Sequence, residues 1–277
     1  MSGGFLEEMA AASAARVRAA QRICPESRLA EQAGQMPPAP PLRLDPSGFD
    51  LIAELKLRSP AAGAFAGAPE EVPRRVSAYA RAGVAAVSVL TEPSRFDGEL
   101  AHLAQAARLL APLRVPVMRK DFLVDPYQLL EARAAGAAGA LVVLRMLPRA
   151  ALDALIARAA ALGLFVLLEA FDEQDIGVMH ELIAAHRGEA TLLAGVNCRD
   201  LATLEVVPRR LLELAPLLPP GVPQVAESGV ACAADAAQVA AAGFRLALVG
   251  SALMRGADPA PLVQGLISAG RAAARAR

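Results

Sequence analysis

The run LIAELK, from Leu51 to Lys56, decides how the rest of the chain is read. It is short, apolar except at Glu54 and Lys56, and reads as a strand buried on both faces, the kind that parallel sheets use. Seven runs of similar character follow: Ala85 to Thr91, Val115 to Lys120, Ala140 to Leu144, Leu164 to Glu169, Leu192 to Asn197, Pro223 to Glu227 and Arg245 to Gly250. They recur at intervals of about 20 to 35 residues, the length of one strand, one helix and two loops. The segments between them are rich in alanine and dotted with arginine, and Gly83 and Gly136 close two of them as glycines close helices. Eight βα units predict an α/β fold, a closed (βα)8 TIM barrel. A doubly wound open sheet is the alternative, disfavoured because no glycine-rich dinucleotide fingerprint follows the first run.

Upstream of Phe49 the pattern is different. Phe5, Leu6, Met9, Ala12 and Val17 mark an irregular amphipathic helix that runs to about Arg22, and the stretch from Pro37 to Pro41 breaks it. Residues 1–48 are expected to be a helical extension and linker, and 49–277 the barrel. The chain has 277 residues, 55% of them hydrophobic, which is enough for one large core. Lysine and arginine total 28, balanced by 28 acidic residues, so there is no electrostatic footprint for nucleic acid and a small-molecule partner is favoured. Cys24, Cys198 and Cys232 are odd in number, widely spaced and without a C-x-x-C pair, which argues against a disulfide framework or a zinc site. Glu7 and Glu8 make the N-terminus a poor signal peptide, and no uncharged apolar run is long enough to span a bilayer. The expectation is a cytoplasmic monomer or weak oligomer with no membrane partner.

Lysine usage then points to chemistry. Lys56 and Lys120 are the chain's only lysines, and each ends a predicted strand. Arginine replaces lysine wherever a solvated charge suffices, but it does not give up a proton near neutral pH. Active sites of βα barrels lie at the C-terminal ends of the strands. There the first strand offers Glu54 and Lys56, two apart and so on one side of the sheet, the third Lys120, and the fifth Glu169. The sixth offers Asn197, the chain's only asparagine, and the seventh Glu227. A buried ion pair explains Glu54 and Lys56 alone; it does not explain convergence of lysines and glutamates from four strands. Turns at Ser228–Gly229 and Gly250–Ser251 stand where such barrels cradle phosphate on backbone N–H groups. His102, His180 and His186 fall in helical segments, and Cys198 has no histidine near it, so it reads as a small filler. With no His cluster or carboxylate set at ligand spacing, no metal or organic cofactor is expected.

Taken in order, several motifs resemble one family. They are Ile52-Ala53-Glu54-Leu55-Lys56 with Ser59-Pro60, Ser88-Val89-Leu90-Thr91-Glu92, and Arg119-Lys120-Asp121-Phe122 with Asp125-Pro126-Tyr127-Gln128. Gly195-Val196-Asn197-Cys198-Arg199-Asp200-Leu201, Val225-Ala226-Glu227-Ser228-Gly229 and Val249-Gly250-Ser251 complete the set. The pattern resembles indole-3-glycerol phosphate synthase from about Phe5 to Arg255, including an N-terminal helical extension. That resemblance implies closure of an indole ring on a phosphorylated sugar derivative, with loss of carbon dioxide and water. By resemblance, Lys120 is the general acid at the carbonyl and Glu169 the acid–base group of dehydration. Lys56 holds the carboxylate or phosphate and assists hydroxyl loss, while Glu54, Asn197 and Glu227 orient the substrate. Arg199, Ser228, Gly229, Gly250 and Ser251 form or flank the phosphate side, Ser59 joins the binding set, and Phe96, Phe122, Leu141 and Leu201 wall the aromatic pocket. The chain departs from the family's usual residues at Leu57, Asp97, Glu99 and Ala138, none of them a proposed acid or base. Two other readings stay open on the residues alone: a Schiff-base lyase or aldolase using Lys120 or Lys56 as the amine, and a silent barrel kept as a scaffold.

Overall fold

All eight predicted runs form strands in the computed structural model, which describes residues 4–60, 63–65, 71–200, 203 and 205–276. They are β1 (Asp50–Leu55), β2 (Ala86–Leu90), β3 (Val117–Lys120), β4 (Gly139–Val143), β5 (Phe165–Ala170), β6 (Leu192–Asn197), β7 (Gln224–Glu227) and β8 (Leu246–Val249). Each pairs in parallel with the next, and β8 pairs with β1 to close the barrel, which removes the open-sheet alternative. The runs lack simple polar alternation because both of their faces are covered. Leu51, Ala53, Leu55, Val87 and Val89 point outward into the helix layer. Ile52, Ala86, Met118, Leu141, Leu167, Leu193, Val225 and Leu246 fill the barrel. Gly139 has no side chain because the Phe165 ring takes the space that a Cβ would need.

Helices α3 (Glu71–Arg81), α4 (Leu100–Leu110), α5 (Tyr127–Ala134), α6 (Arg149–Ala161), α7 (Glu173–Ala185), α8 (Arg209–Leu214), α9 (Ala233–Ala241) and α10 (Ala260–Arg275) follow β1 to β8 in turn. Gly83 and Gly136 adopt φ of 92° and 87°, left-handed values that let the chain leave α3 and α5. Among the described residues no helix is long and apolar enough to cross a membrane.

The extension holds two helices where the sequence suggested one: α1 (Phe5–Ile23) and α2 (Glu26–Gln35). Only Leu29 and Ala33 of α2 are buried, too few to show as a helical period, and Pro25 at its N-cap reads locally as a break. Its partner is α5, where Val17, Leu29 and Ala33 meet Tyr127 and Leu130 in a small core of their own. Directional bonds fix the contact. Tyr127 Oη donates to the Cys24 carbonyl at 2.8 Å, Gln128 Nε2 to Ser13 Oγ at 2.9 Å, and Arg133 to the carbonyls of Met36 and Pro37 at 2.9 and 2.7 Å. The extension therefore grips the barrel at α5, the helix that follows β3.

Candidate active site

Alternation along each strand delivers the site. Residues two apart share a face, so the inward positions that pack apolar side chains lower in the barrel present Glu54 and Lys56 from β1, Lys120 from β3, Glu169 from β5, Asn197 from β6 and Glu227 from β7 at its mouth. All of them line one cavity of about 530 Å³, within the range usual for small-molecule sites.

Two lysines and three glutamates there are mutually paired. Lys56 Nζ lies 2.7 Å from Glu54 Oε1. Lys120 Nζ sits between strands, 3.4 Å from Glu227 Oε2 and 3.7 Å from Glu169 Oε2. Asn197 Nδ2 donates to Glu169 Oε1, and its Oδ1 accepts the Arg199 backbone N–H at 2.9 Å, so one amide orients both a carboxylate and the loop after β6. Burial works against the charge on Lys120, but Glu169, Glu227 and Glu54 outweigh it and hold the ammonium well above the ordinary lysine range. Burial likewise opposes ionisation of Glu54, yet Lys56 and then Lys120 keep its carboxyl below the usual value. Glu227 goes the other way. Burial and then the charge of Glu169 push its carboxyl up to about 8, against the pull of Lys120. Its Oε1 is buried without a hydrogen-bond partner among the described residues.

Facing this cluster, the turns after β7 and β8 bring backbone to the cavity. Ser228 and Gly229 take successive left-handed conformations, φ 65° and 73°, and the turn lines the cavity together with Gly250, Ser251 and Arg199. Among the described residues the N–H groups of Ser228, Gly229, Gly250 and Ser251 meet no backbone carbonyl of a turn or loop, and free N–H groups of a turn or helix start bind anions. Gly250 has a further role that its turn position did not announce. A Cβ there would collide with Glu54 Oε1 and lie 3.0 Å from Lys56 Nζ, so the absence of a side chain makes room for that ion pair.

The apolar bank lies over β2 to β5. Phe96 and Phe122 stand with ring centroids 6.2 Å apart, and Leu141 joins them in the cavity wall. Buried Ser59 also reaches the cavity, from a short antiparallel hairpin, Arg58–Ser59 with Gly63–Ala64. Leu201, the remaining predicted wall residue, lies outside the described residues. Sequence reasoning missed Phe5 and Leu6, which bring the start of α1 to the cavity; Phe5 meets Phe122 edge-on at 5.7 Å. It also missed Phe171, although that residue continues the inward face of β5 two positions beyond Glu169. Cys198 faces the outer core, where burial pushes its thiol up to about 11, which suits a filler.

An ion-pair network holds the end of β3 in place. Arg16 of α1 reaches Asp121 Oδ1 at 2.6 Å and Glu92 Oε1 at 3.5 Å. Asp121 also accepts from Thr91 Oγ1 at 2.8 Å, from Arg119 Nη2 at 3.1 Å and from the Phe122 N–H at 2.8 Å. Glu92 caps the single turn Pro93–Phe96. One guanidinium from the extension thus ties together the two loops that carry Phe96, Lys120 and Phe122.

The chain matches the family model described as indole-3-glycerol phosphate synthase over residues 6–266. It is 44% identical over 220 residues to the indole-3-glycerol phosphate synthase of Parafrankia sp. (strain EAN1pec), covering 79% of this chain and 78% of the relative. Against the protein of the same name from Mycolicibacterium smegmatis it is 40% identical over 262 residues, covering 92% and 91%. Among solved structures, 3-hexulose-6-phosphate synthase from Salmonella typhimurium superposes with a TM-score of 0.58 over 79% of this chain and 97% of that one; at 14% identity this is a likeness of fold.

Proposed function

The chain belongs to the indole-3-glycerol phosphate synthase family, and from that premise we propose how the side chains of its barrel mouth divide the work. The reaction is a carboxy-lyase step of tryptophan biosynthesis. 1-(2-Carboxyphenylamino)-1-deoxyribulose 5-phosphate closes a ring, loses carbon dioxide and water, and becomes indole-3-glycerol phosphate.

In the first step the ring carbon that bears the carboxylate attacks the ribulose carbonyl. Lys120 gives a proton to the carbonyl oxygen as it becomes a hydroxyl. A carbonyl activated in this way needs its acid already charged, and the carboxylates of Glu169 and Glu54, with Glu227 accepting a hydrogen bond from it, keep Lys120 in that state. Carbon dioxide then leaves with its bonding pair returning to the ring, which restores aromaticity. Dehydration needs one proton delivered to the new hydroxyl and one removed from the neighbouring methylene; Lys56 serves the departing hydroxyl and Glu169 is the acid–base group. Glu54 positions Lys56, Asn197 positions Glu169, and Glu227 orients the substrate. The backbone N–H groups at Ser228–Gly229 and Gly250–Ser251, with Arg199, receive the phosphate; Ser59 lies at the rim; Phe96, Phe122 and Leu141 hold the aromatic ring. No metal or organic cofactor takes part. Residues 1–48 form an extension that completes the site of the 49–277 barrel, in a cytoplasmic enzyme acting as a monomer or weak oligomer.

The observation that carries this division is the position of Lys120 between Glu169 and Glu227, with the Lys56–Glu54 pair in the same cavity. It also counts against the Schiff-base reading. An amine nucleophile must be neutral, whereas the carboxylates around Lys120 favour its ammonium. The test is borohydride trapping alongside a product assay. Indole emission and carbon dioxide without a covalent adduct on either lysine support the acid role; a trapped adduct defeats it.

A further inference from the structure

Phe165, Leu167 and Glu169 face into the barrel, and Phe171 extends that face past the last hydrogen-bonded residue of β5. Its ring is 4% exposed and lines the catalytic cavity. None of the proton transfers above uses it, yet its anchoring is elaborate. The guanidinium of Arg145, on the turn after β4, lies over the ring at 4.8 Å from its centroid, the geometry of a cation–π contact. That guanidinium is itself fixed. Its Nη2 lies 2.5 Å from Asp172 Oδ2 and 2.7 Å from Asp175 Oδ2, and its Nε donates to Asp175 Oδ2 at 2.8 Å. Asp175 Oδ2 also accepts the backbone N–H of Phe171 at 2.8 Å. Ring, backbone and guanidinium are therefore locked to one carboxylate.

Leu141 and Val143 of β4 stand beside Phe171 in the cavity lining, with Leu6 from α1. This continues the apolar bank of Phe96, Phe122 and Leu141 to its β4–β5 end, away from the turns after β7 and β8. A ring held by Phe96, Phe122 and Leu141 would have Phe171 at the end of the same apolar wall.

We propose that Phe171, clamped by Arg145, is a specificity-determining wall of the aromatic subsite and sets the size of ring substituent that the substrate can carry. Arg145 is a positioning residue, acting through the ring. The inference rests on the ring-closure reading of the site. In contacts of this kind one methylene changes discrimination by roughly 10-fold or more, so removing a phenyl wall should be visible.

The experiment compares Phe171→Ala with the parent on the unsubstituted substrate and on analogues carrying one methyl group at each free ring position. The expected result is a rise of about 10-fold, for at least one methylated analogue, in kcat/KM relative to the unsubstituted substrate, the scale set by a lost apolar contact. Ribulose 5-phosphate, which has no aromatic ring, should inhibit parent and variant with the same Ki. Should Phe171→Ala fail to fold, Phe171→Leu keeps most of the volume and should shift the same ratios in the same direction. Arg145→Gln leaves the ring present but unclamped, and a smaller shift of the same ratio is expected. Ratios unchanged at every ring position in the Phe171 variants overturn the wall, and a parental ratio in Arg145→Gln overturns the clamp. Failure of the ring-closure reading looks different and overturns both: the parent then forms no indole from any of these substrates.

Discussion

Replacing Lys120 with arginine separates charge from acidity in the site. The Glu169 carboxylate, 3.7 Å from Lys120, interacts with it by roughly 4–5 kcal/mol at an effective dielectric of about 20, and Glu227 accepts its hydrogen bond at 3.4 Å. A neutral replacement such as Lys120→Met removes that attraction and leaves Glu54 and Glu169 to share Lys56, and an uncompensated buried charge of that kind destabilises by about 3–5 kcal/mol. Loss of activity in the methionine variant would then report on folding as much as on chemistry. Lys120→Arg keeps the positive charge among the three carboxylates, so the melting temperature should move by no more than about 2–4 °C, the equivalent of roughly 1 kcal/mol in a domain of this size. What it removes is the compact ammonium seated between Glu227 and Glu169, whose proton the larger, planar and more delocalised guanidinium cannot deliver to the same carbonyl oxygen. Turnover should fall by about 10² to 10⁴, or roughly 3–5 kcal/mol of barrier. The chain has no tryptophan, so product can be followed directly as indole emission over weak tyrosine and phenylalanine background. A folded Lys120→Arg protein that turns over within about threefold of the parent, far above the range expected for a lost general acid, refutes the role given to Lys120.

Other substitutions test other parts of the site. In Glu227→Gln the sign of a pH effect is at stake: the folded carboxyl holds its proton to about 8, against an ordinary value of 4.5. Parental stability should therefore fall as pH rises through that window. The variant does not titrate, so its stability relative to the parent should climb by up to about 1.4 kcal/mol per pH unit and level off above 8; a gap between the variant and parent denaturation midpoints that is the same at pH 5 and at pH 8 would contradict the burial argument. Gly250→Ala should lower kcat as well as raise KM, because its Cβ displaces the Glu54–Lys56 pair, whereas Arg199→Ala should act mainly on KM; the opposite pattern would mean that binding and catalytic roles have been exchanged. Arg16→Ala should cost about 1–3 kcal/mol of stability, discounted from a fully buried pair because Arg16 is partly solvated, and should reduce kcat although the residue touches no substrate; an unchanged kcat would confine the Arg16 network to stability. Chelation should leave turnover as it is, since among the described residues no three His, Cys, Asp or Glu side chains converge to hold a metal; activity lost to a chelator and restored by a divalent ion would refute this.

What could be read from the sequence was what is encoded locally. Strand limits came out within two residues because a run buried on both faces is a property of the run itself. Glu54 and Lys56, two apart, shared a face by strand geometry, and Lys120, Glu169, Asn197 and Glu227 were recognisable as polar ends of apolar strands. The features that escaped depend on partners far away in the chain. Arg16 and Asp121 are 105 residues apart, and nothing near either signals the other. Helix α2 buries only Leu29 and Ala33, too few to produce a period. Phe5 and Leu6 looked like the start of any amphipathic helix; only the docking of α1 on the loop after β3 brings them to the cavity. Gly250 read as a turn glycine because its second neighbour, the Glu54 carboxylate, belongs to a strand almost two hundred positions earlier.

The scarcity of lysine and its confinement to the barrel mouth also make the molecule a gauge of its own unfolding. A protease that cuts only after lysine has two target bonds, following Lys56 and Lys120, and would divide the chain into 1–56, 57–120 and 121–277. Proteolysis requires the target bond in an extended, unpaired segment. Lys120 ends a strand hydrogen-bonded into the closed barrel, with the Arg16–Asp121 network beside it. Lys56 follows β1 directly, with its side chain tied to Glu54. An arginine-directed protease finds targets over the whole surface; a lysine-directed one finds them only when the strand ends at the barrel mouth come apart. The relative rates of the two cuts would show which of those strand ends lets go first, and ligand protection against each would measure how firmly substrate staples that end shut.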